Sequence, residues 1–207
     1  MTPTSPQKEE LFDLLSTAGA LRFGEFTLKS GAHSPFFCNL GDLDSGMRLR
    51  AIGRLFADAI AAAVPATTLL FGPAYKGIAL ATAAAAAAAE AGRDWAVTFD
   101  RKEAKDHGEG GRYIGRTPRA GDVVVLVDDV MSDGGTKRTA CEALKRDFGV
   151  EVAAVAVALD RRTETTKKTG AAGLPPLVAL ADLADLAGYV KGKDSALAEK
   201  IDAFRRS

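Results

Sequence analysis

Cysteine and histidine are scarce in this 207-residue chain: Cys38, Cys141, His33 and His107 are all there is. Two cysteines cannot build a disulfide framework, and two histidines beside them leave no cluster at zinc-ligand spacing. Both thiols are expected to be reduced packing residues. Net charge is also missing, because 27 Lys and Arg balance 27 Asp and Glu. No global electrostatic footprint for nucleic acid or an anionic membrane exists, so any basic site must be local. Neither MTPTSPQKEE nor ALATAAAAAAAEA supplies a long apolar run. The first has no signal core, and the second is too short and too alanine-rich to span a bilayer. A cytoplasmic protein is expected, without nucleic acid or membrane as partner. G-x-S-x-G and G-x-x-x-x-G-K-[ST] are absent as well, which removes the usual signatures of an esterase nucleophile and a Walker-type NTPase.

What remains is an ordinary globular composition, 47% hydrophobic and 26% charged, enough for one well-buried domain. Ser5 and Pro6 open a helix carrying Leu11, Leu14, Leu15 and Ala18, and Ser45 opens another that stops before Pro65. Between them, residues 21–38 resemble short strands interrupted by Gly24 and Gly31. From residue 66 the pattern alternates: TLLFG, WAVTF, VVVLV, VAAVAVAL and LVAL are apolar runs separated by helical or polar stretches. Such runs fit a mainly parallel sheet covered by helices on both faces. The expected class is α/β, one domain over 1–207. About 1–45 would form an N-terminal hood or hairpin, and about 66–181 the core. Alanines 83–89 are read as helix, with no functional weight.

In an open parallel sheet, ligands sit beyond the carboxyl ends of strands. The run VVVLVDDVMSDGGTK ends in such a place, with two adjacent carboxylates that would be costly to bury alone. Strand alternation keeps Asp128 and Asp129 from sharing one pocket unless the chain is already turning, so one could bind ligand while the other holds loop or metal. Gly134 and Gly135 permit close approach and positive φ, while Ser132 and Thr136 add hydroxyls at a helix start. The combination is a phosphate cradle. A carboxylate pair near such a cradle suits a ligand with a diol at one end and a phosphomonoester at the other, as in a ribose 5-phosphate. FGPAYKG (71–77) is a stiff loop projecting Lys76. DRKEAKDHGEGGRYIGR (100–116) gathers Arg101, Lys102, Lys105, His107, Arg112 and Arg116 among four glycines. A polar segment of that length inside a compact domain is expected to be a lid, here a mobile catalytic loop over 100–119.

Strand, DD, two apolar residues and a short hydroxyl-and-glycine loop resemble the phosphoribosyl pyrophosphate (PRPP) motif of type I phosphoribosyltransferases. With LRFGEFTLKSG, SPFF and above all RKEAKDHGEGG, the resemblance narrows to the orotate phosphoribosyltransferases. It implies transfer of a phosphoribosyl group from PRPP to N1 of orotate, giving orotidine 5′-monophosphate and pyrophosphate in pyrimidine synthesis. It also implies Mg²⁺ carried on PRPP oxygens and water, and a homodimer whose lids reach into each other's sites. Position by position, Asp128 and Asp129 would hold the ribose hydroxyls, and Val130, Met131, Ser132, Asp133, Gly134, Gly135 and Thr136 the 5′-phosphate loop. Lys29, Tyr75, Lys76, Arg101, Lys102, Lys105 and His107 would surround the pyrophosphate, with Lys105 the catalytic cation. For orotate the resemblance points to Phe36, Phe37, Ser132 and Arg161; core packing for the two Phe and a surface ion pair for Arg161 are the alternatives. Asp133 departs from the family pattern, and an acid beside a phosphate should face solvent or a cation.

Overall fold

In the computed structural model, residues 5–28, 31–105, 111–170 and 173–207 are described. The helices are α1 (Pro6–Thr17), α2 (Gly46–Ala63), α3 (Lys76–Glu90), α4 (Gly135–Phe148), α5 (Glu164–Gly170), α6 (Leu183–Lys191) and α7 (Ser195–Arg206). The strands are β1 (Leu21–Thr27), β2 (His33–Cys38), β3 (Leu69–Gly72), β4 (Ala96–Lys105), β5 (Gly111–Gly115), β6 (Val124–Met131), β7 (Val152–Asp160) and β8 (Leu177–Asp182). A six-stranded sheet in the order β5-β4-β3-β6-β7-β8 forms the centre, parallel throughout except for the antiparallel β4–β5 pair. The expected α/β class and mainly parallel sheet are present.

Period-two alternation sorts each central strand between two cores. Leu70, Val125, Val127, Ala154, Ala156 and Ala158 pack with residues of α1, α2, α3, α6 and α7. Their neighbours Leu69, Phe71, Val124, Leu126, Val155 and Val157 face the other way, onto Ala140 and Leu144 of α4. The alanine run is explained by proximity: a Cβ on Gly53 of α2 would lie 2.4 Å from the carbonyl oxygen of Ala83 in α3. At that point the two helices leave no room for a side chain on α2, and the buried Ala81, Ala84 and Ala88 face the core.

The hood is a separate antiparallel pair, β1–β2, whose register shifts between Phe23 and Phe26. Phe36 anchors it to the body, packing edge-on against Phe204 of α7 with ring centroids 5.8 Å apart.

Two expectations need correcting. The polar segment after WAVTF is not an open loop throughout: β4 continues to Lys105 and the chain returns as β5. A charged edge strand carries no apolar alternation, so it has no pattern to read. The loop after VAAVAVAL contains the short helix α5. Lys29 and His107 lie outside the described residues, as does the side chain of Lys105.

Candidate active site

Three connections meet beyond the carboxyl ends of the parallel strands: residues 73–75 after β3, 132–134 after β6, and 161–163 after β7. The first is tied to β4 and the third to the end of β6. The backbone N–H of Ala74 donates to Asp100 Oδ1 at 2.7 Å, and that of Arg161 donates to the Met131 carbonyl at 3.0 Å. Gly77, in the first turn of α3, lies so close to β6 that a Cβ there would be 2.7 Å from the Val127 carbonyl oxygen and 2.6 Å from the Pro73 ring.

The two carboxylates do not share a pocket. Alternation persists through the pair, because β6 runs on to Met131. Asp128 follows Val124 and Leu126 to the α4 side, where its Oδ2 lies 2.5 Å from Lys137 Nζ. Asp129 follows Val125 and Val127 to the α3 side and pairs with Lys76. Lys76 Nζ also donates to Asn39 Oδ1 at 3.3 Å, joining the hood to the strand tip. Each acid accepts a hydrogen bond from the next backbone amide, Asp128 from Asp129 at 2.9 Å and Asp129 from Val130 at 2.8 Å. Burial pushes the Asp128 carboxyl above its ordinary value, Lys137 pulls against that and Asp129 adds to it.

On the α3 side the polar cluster extends to Arg161 and Cys38. Burial pulls the Arg161 guanidinium below its ordinary value, with Cys38 and Asp129 acting in the opposite direction. Burial, then Asp129, pushes the Cys38 thiol up to about 12. Arg161 is half-buried within this cluster and has no surface ion pair of its own among the described contacts, unlike Arg162, which chelates Asp160 through two bonds of 2.8 Å.

At the other end of the loop, Gly134 has φ +76°, and a Cβ there would strike Leu174 Cδ1 at 2.4 Å. The positive φ is what favours glycine at this turn, since the Leu174 methyl is the end of a flexible side chain that can give way. Ser132, Asp133, Gly135 and Thr136 are exposed at the start of α4, whose N–H groups favour an anion. Asp133 faces solvent as expected, and its Oδ1 accepts from the Gly135 amide at 3.2 Å. Met131 is 1% exposed, so its side chain closes the floor instead of meeting a ligand.

Tyr75 is exposed, follows a cis Ala74–Tyr75 peptide, and carries Lys102 Nζ 4.4 Å from its ring centroid. Asp100 and Lys102 thus reach the 73–75 loop from one side of β4, and alternation turns Arg101 to the other. Phe36 and Phe37 also separate. Phe36 is 1% exposed and takes the core alternative, which removes it from direct contact with a ligand. Phe37 is half-buried on the opposite face, beside Phe26 at 5.6 Å and under the Arg22 guanidinium at 5.1 Å.

The structure brings together Tyr75, Lys76, Lys102, Asp128, Asp129, the 132–136 loop and Arg161. Asn39 and Lys137 join them without having been singled out in the sequence, and Cys38, expected only to pack, joins them too. Asn39 directly follows SPFFC and could have been found as the hood's polar tip, whereas a buried lysine has no sequence signal. Among the described residues, no three or more His, Cys, Asp or Glu side chains are grouped to hold a metal ion, and no helix is long and apolar enough to cross a membrane.

Known proteins resemble this chain in sequence and fold. A phosphoribosyl transferase domain family matches residues 43–172. The orotate phosphoribosyltransferase of Stenotrophomonas maltophilia is 43% identical over 97% of this chain and 95% of its own length. Among solved structures, the orotate phosphoribosyltransferase of Francisella tularensis superposes with a TM-score of 0.78 at 30% identity, covering 94% of this chain and 96% of that one. The Mycobacterium tuberculosis orotate phosphoribosyltransferase in complex with PRPP gives a TM-score of 0.65 at 27% identity, covering 87% of this chain and 99% of that one.

Proposed function

The chain belongs to the orotate phosphoribosyltransferase family, and from that premise we propose that it transfers the phosphoribosyl group of PRPP to N1 of orotate. The products would be orotidine 5′-monophosphate and pyrophosphate, a step of de novo pyrimidine synthesis. In bond terms, orotate N1 gives up its proton to solvent or the departing pyrophosphate and donates its electron pair to C1 of the ribose while the C1–oxygen bond to pyrophosphate breaks. The nucleophile belongs to the substrate, so the chain needs none of its own. Its task is to position two substrates and to stabilise positive charge on the ribose and negative charge on the departing group.

The observation that carries the reading is the pairing of Asp129 with Lys76 beside the Ser132–Thr136 turn. In the reading, PRPP takes both partners: its hydroxyls go to the carboxylate, its pyrophosphate to the ammonium. The Ser132–Thr136 amides and hydroxyls receive the 5′-phosphate, with Asp133 moving off the Gly135 amide. Tyr75, Lys76 and Lys102 meet the pyrophosphate, joined by Lys29, Lys105 and His107. Arg161 offers a planar fork to the orotate carboxylate, with Phe37 and Ser132 beside the base.

Mg²⁺, when bound, would neutralise the leaving pyrophosphate while held by PRPP oxygens and water, in keeping with its preference for oxygen ligands and retained hydration. No residue of the chain is assigned to it. Lys105 is proposed as the cation that closes on the leaving group. Arg101, on the far side of β4 from its own crevice, suits the site of a second copy, so we place the lids of a homodimer in each other's centres.

The experiment is the fall in orotate absorbance on adding PRPP and Mg²⁺, repeated with other nucleobases. Turnover confined to orotate is expected, and its absence would refute the reading. Lys105→Ala should depress kcat far more than PRPP binding, because its partner charge grows mainly in the transition state.

A further inference from the structure

A lysine just after a phosphate turn invites assignment as a phosphate ligand, yet Lys137 is only 6% exposed. Its ammonium is committed to Asp128 Oδ2 at 2.5 Å, while the other oxygen of Asp128 accepts the Asp129 amide. The contrast is with Lys76, whose side chain is 44% exposed and can leave Asp129 for a ligand. Lys137 has no such freedom, because departing would strand a buried carboxylate without compensation.

We propose that Lys137 is a positioning residue: a buried strut from the first turn of α4 back to the tip of β6. With the turn between residues 128 and 137, it closes a ring around the phosphate cradle. Its effect is to fix the distance between the cradle, which takes the 5′-phosphate, and the strand tip, which meets the ribose hydroxyls. The two acids then divide their work. Asp128 is permanently neutralised and rigid, and Asp129 alone becomes available when Lys76 moves. The charged groups facing Asp128 are Lys137 from α4 and Asp129 from β6; those around Asp129 are Lys76, Arg161 and Asp128, with the neutral Cys38 thiol beside them.

This inference rests on the phosphoribosyltransferase reading, and the test separates the two. Steady-state kinetics with PRPP, Mg²⁺ and orotate would compare wild type with Lys137→Met, Lys137→Gln and Lys137→Arg, each checked for folding by thermal melting. Lys137→Met should raise the KM for PRPP about tenfold or more and leave the KM for orotate within about twofold. Lys137→Gln, which keeps length and one donor, serves if the Met variant does not fold, and should show the same split more weakly. Lys137→Arg should recover most of the loss by restoring the charge. Combining Lys137→Met with Asp128→Asn should be no worse than the worse single change, since the two side chains act as one unit. A lower kcat in proportion to lost folded protein, with both KM values unmoved, would overturn the strut and leave the enzyme reading intact. A wild-type protein that does not turn over orotate with PRPP would instead overturn the reading beneath it.

Discussion

Gly77→Ala adds one methyl group where the 73–75 loop turns into α3, and the cost can be worked from the contacts. The new Cβ would sit 2.6 Å from Pro73 Cδ, 2.7 Å from the Val127 carbonyl oxygen and 3.0 Å from the Gly72 carbonyl carbon, against an ordinary minimum near 3.4 Å. None of the three is the free end of a flexible side chain. Relief therefore requires the loop to rise from β6 by about 0.7 Å, and overpacking of this kind costs about 1–3 kcal/mol. Alanine's better helix propensity returns up to about 1 kcal/mol. The middle of that cost, about 2 kcal/mol, less that return leaves a net loss of about 1–2 kcal/mol, which corresponds to a fall of about 2–8 °C in Tm for a chain of this size. Because the displaced loop carries Tyr75 and Lys76, the KM for PRPP should rise while that for orotate changes little. Gly46→Ala is the control: it has nothing within 4 Å of its would-be Cβ and should leave Tm unchanged or slightly higher. Calorimetry with steady-state kinetics decides it. If Gly77→Ala matches the control in Tm, the close approach is not rigid. A lower Tm with an unchanged KM for PRPP would show that loop position does not govern binding.

Phe36→Ala should cost about 3–5 kcal/mol by denaturant unfolding, whereas Phe37→Ala should spare stability and raise the KM for orotate; equal stability losses would contradict their placement on opposite faces. Asp133→Ser should lower the KM for PRPP, because it removes an acid and frees the Gly135 amide, and a higher KM would show the carboxylate assisting the turn. With Cys38 raised to about 12 and Cys141 to about 11 by burial, neither thiol should react with Ellman's reagent near pH 8 until the chain unfolds. Rapid native labelling of either would refute that. Burial acts to raise the Asp122 carboxyl, but the Arg116 side chain and the Arg119 amide outweigh it and hold the group below its ordinary 3.8. That stability is present above pH 3.8 and lost as pH falls through the folded-state value. Arg116→Met should therefore move acid unfolding to higher pH, and an unmoved midpoint would deny the pair its role.

The central sheet was legible because burial on both faces leaves continuous apolar runs, and the phosphate turn because glycines and hydroxyls at a strand-to-helix junction have few other uses. The family resemblance then supplied residue roles that spacing alone could not. The sequence was silent wherever the decisive fact was a facing partner. Phe36 and Phe37 must diverge on any strand, but only the seat of α7 determines which one is lost to the core. The same alternation forced Asp128 and Asp129 apart, while which lysine met which acid depended on helices that follow different strands. Lys137 carried no sign in the sequence that it would be buried against Asp128. The β4–β5 pair escaped notice because its charged residues obey hydrogen bonding at a sheet edge, without an apolar face to mark it.

The near-contact of Gly53 with the backbone of Ala83 gives the alanine-rich helix a different standing from the one its monotony suggests. Randomising that segment would reveal strict size selection on the side turned to its neighbour and broad tolerance on the side turned to water. Low complexity records a shortage of space at Ala81, Ala84 and Ala88, which are buried, and those positions would be the ones least forgiving of bulk.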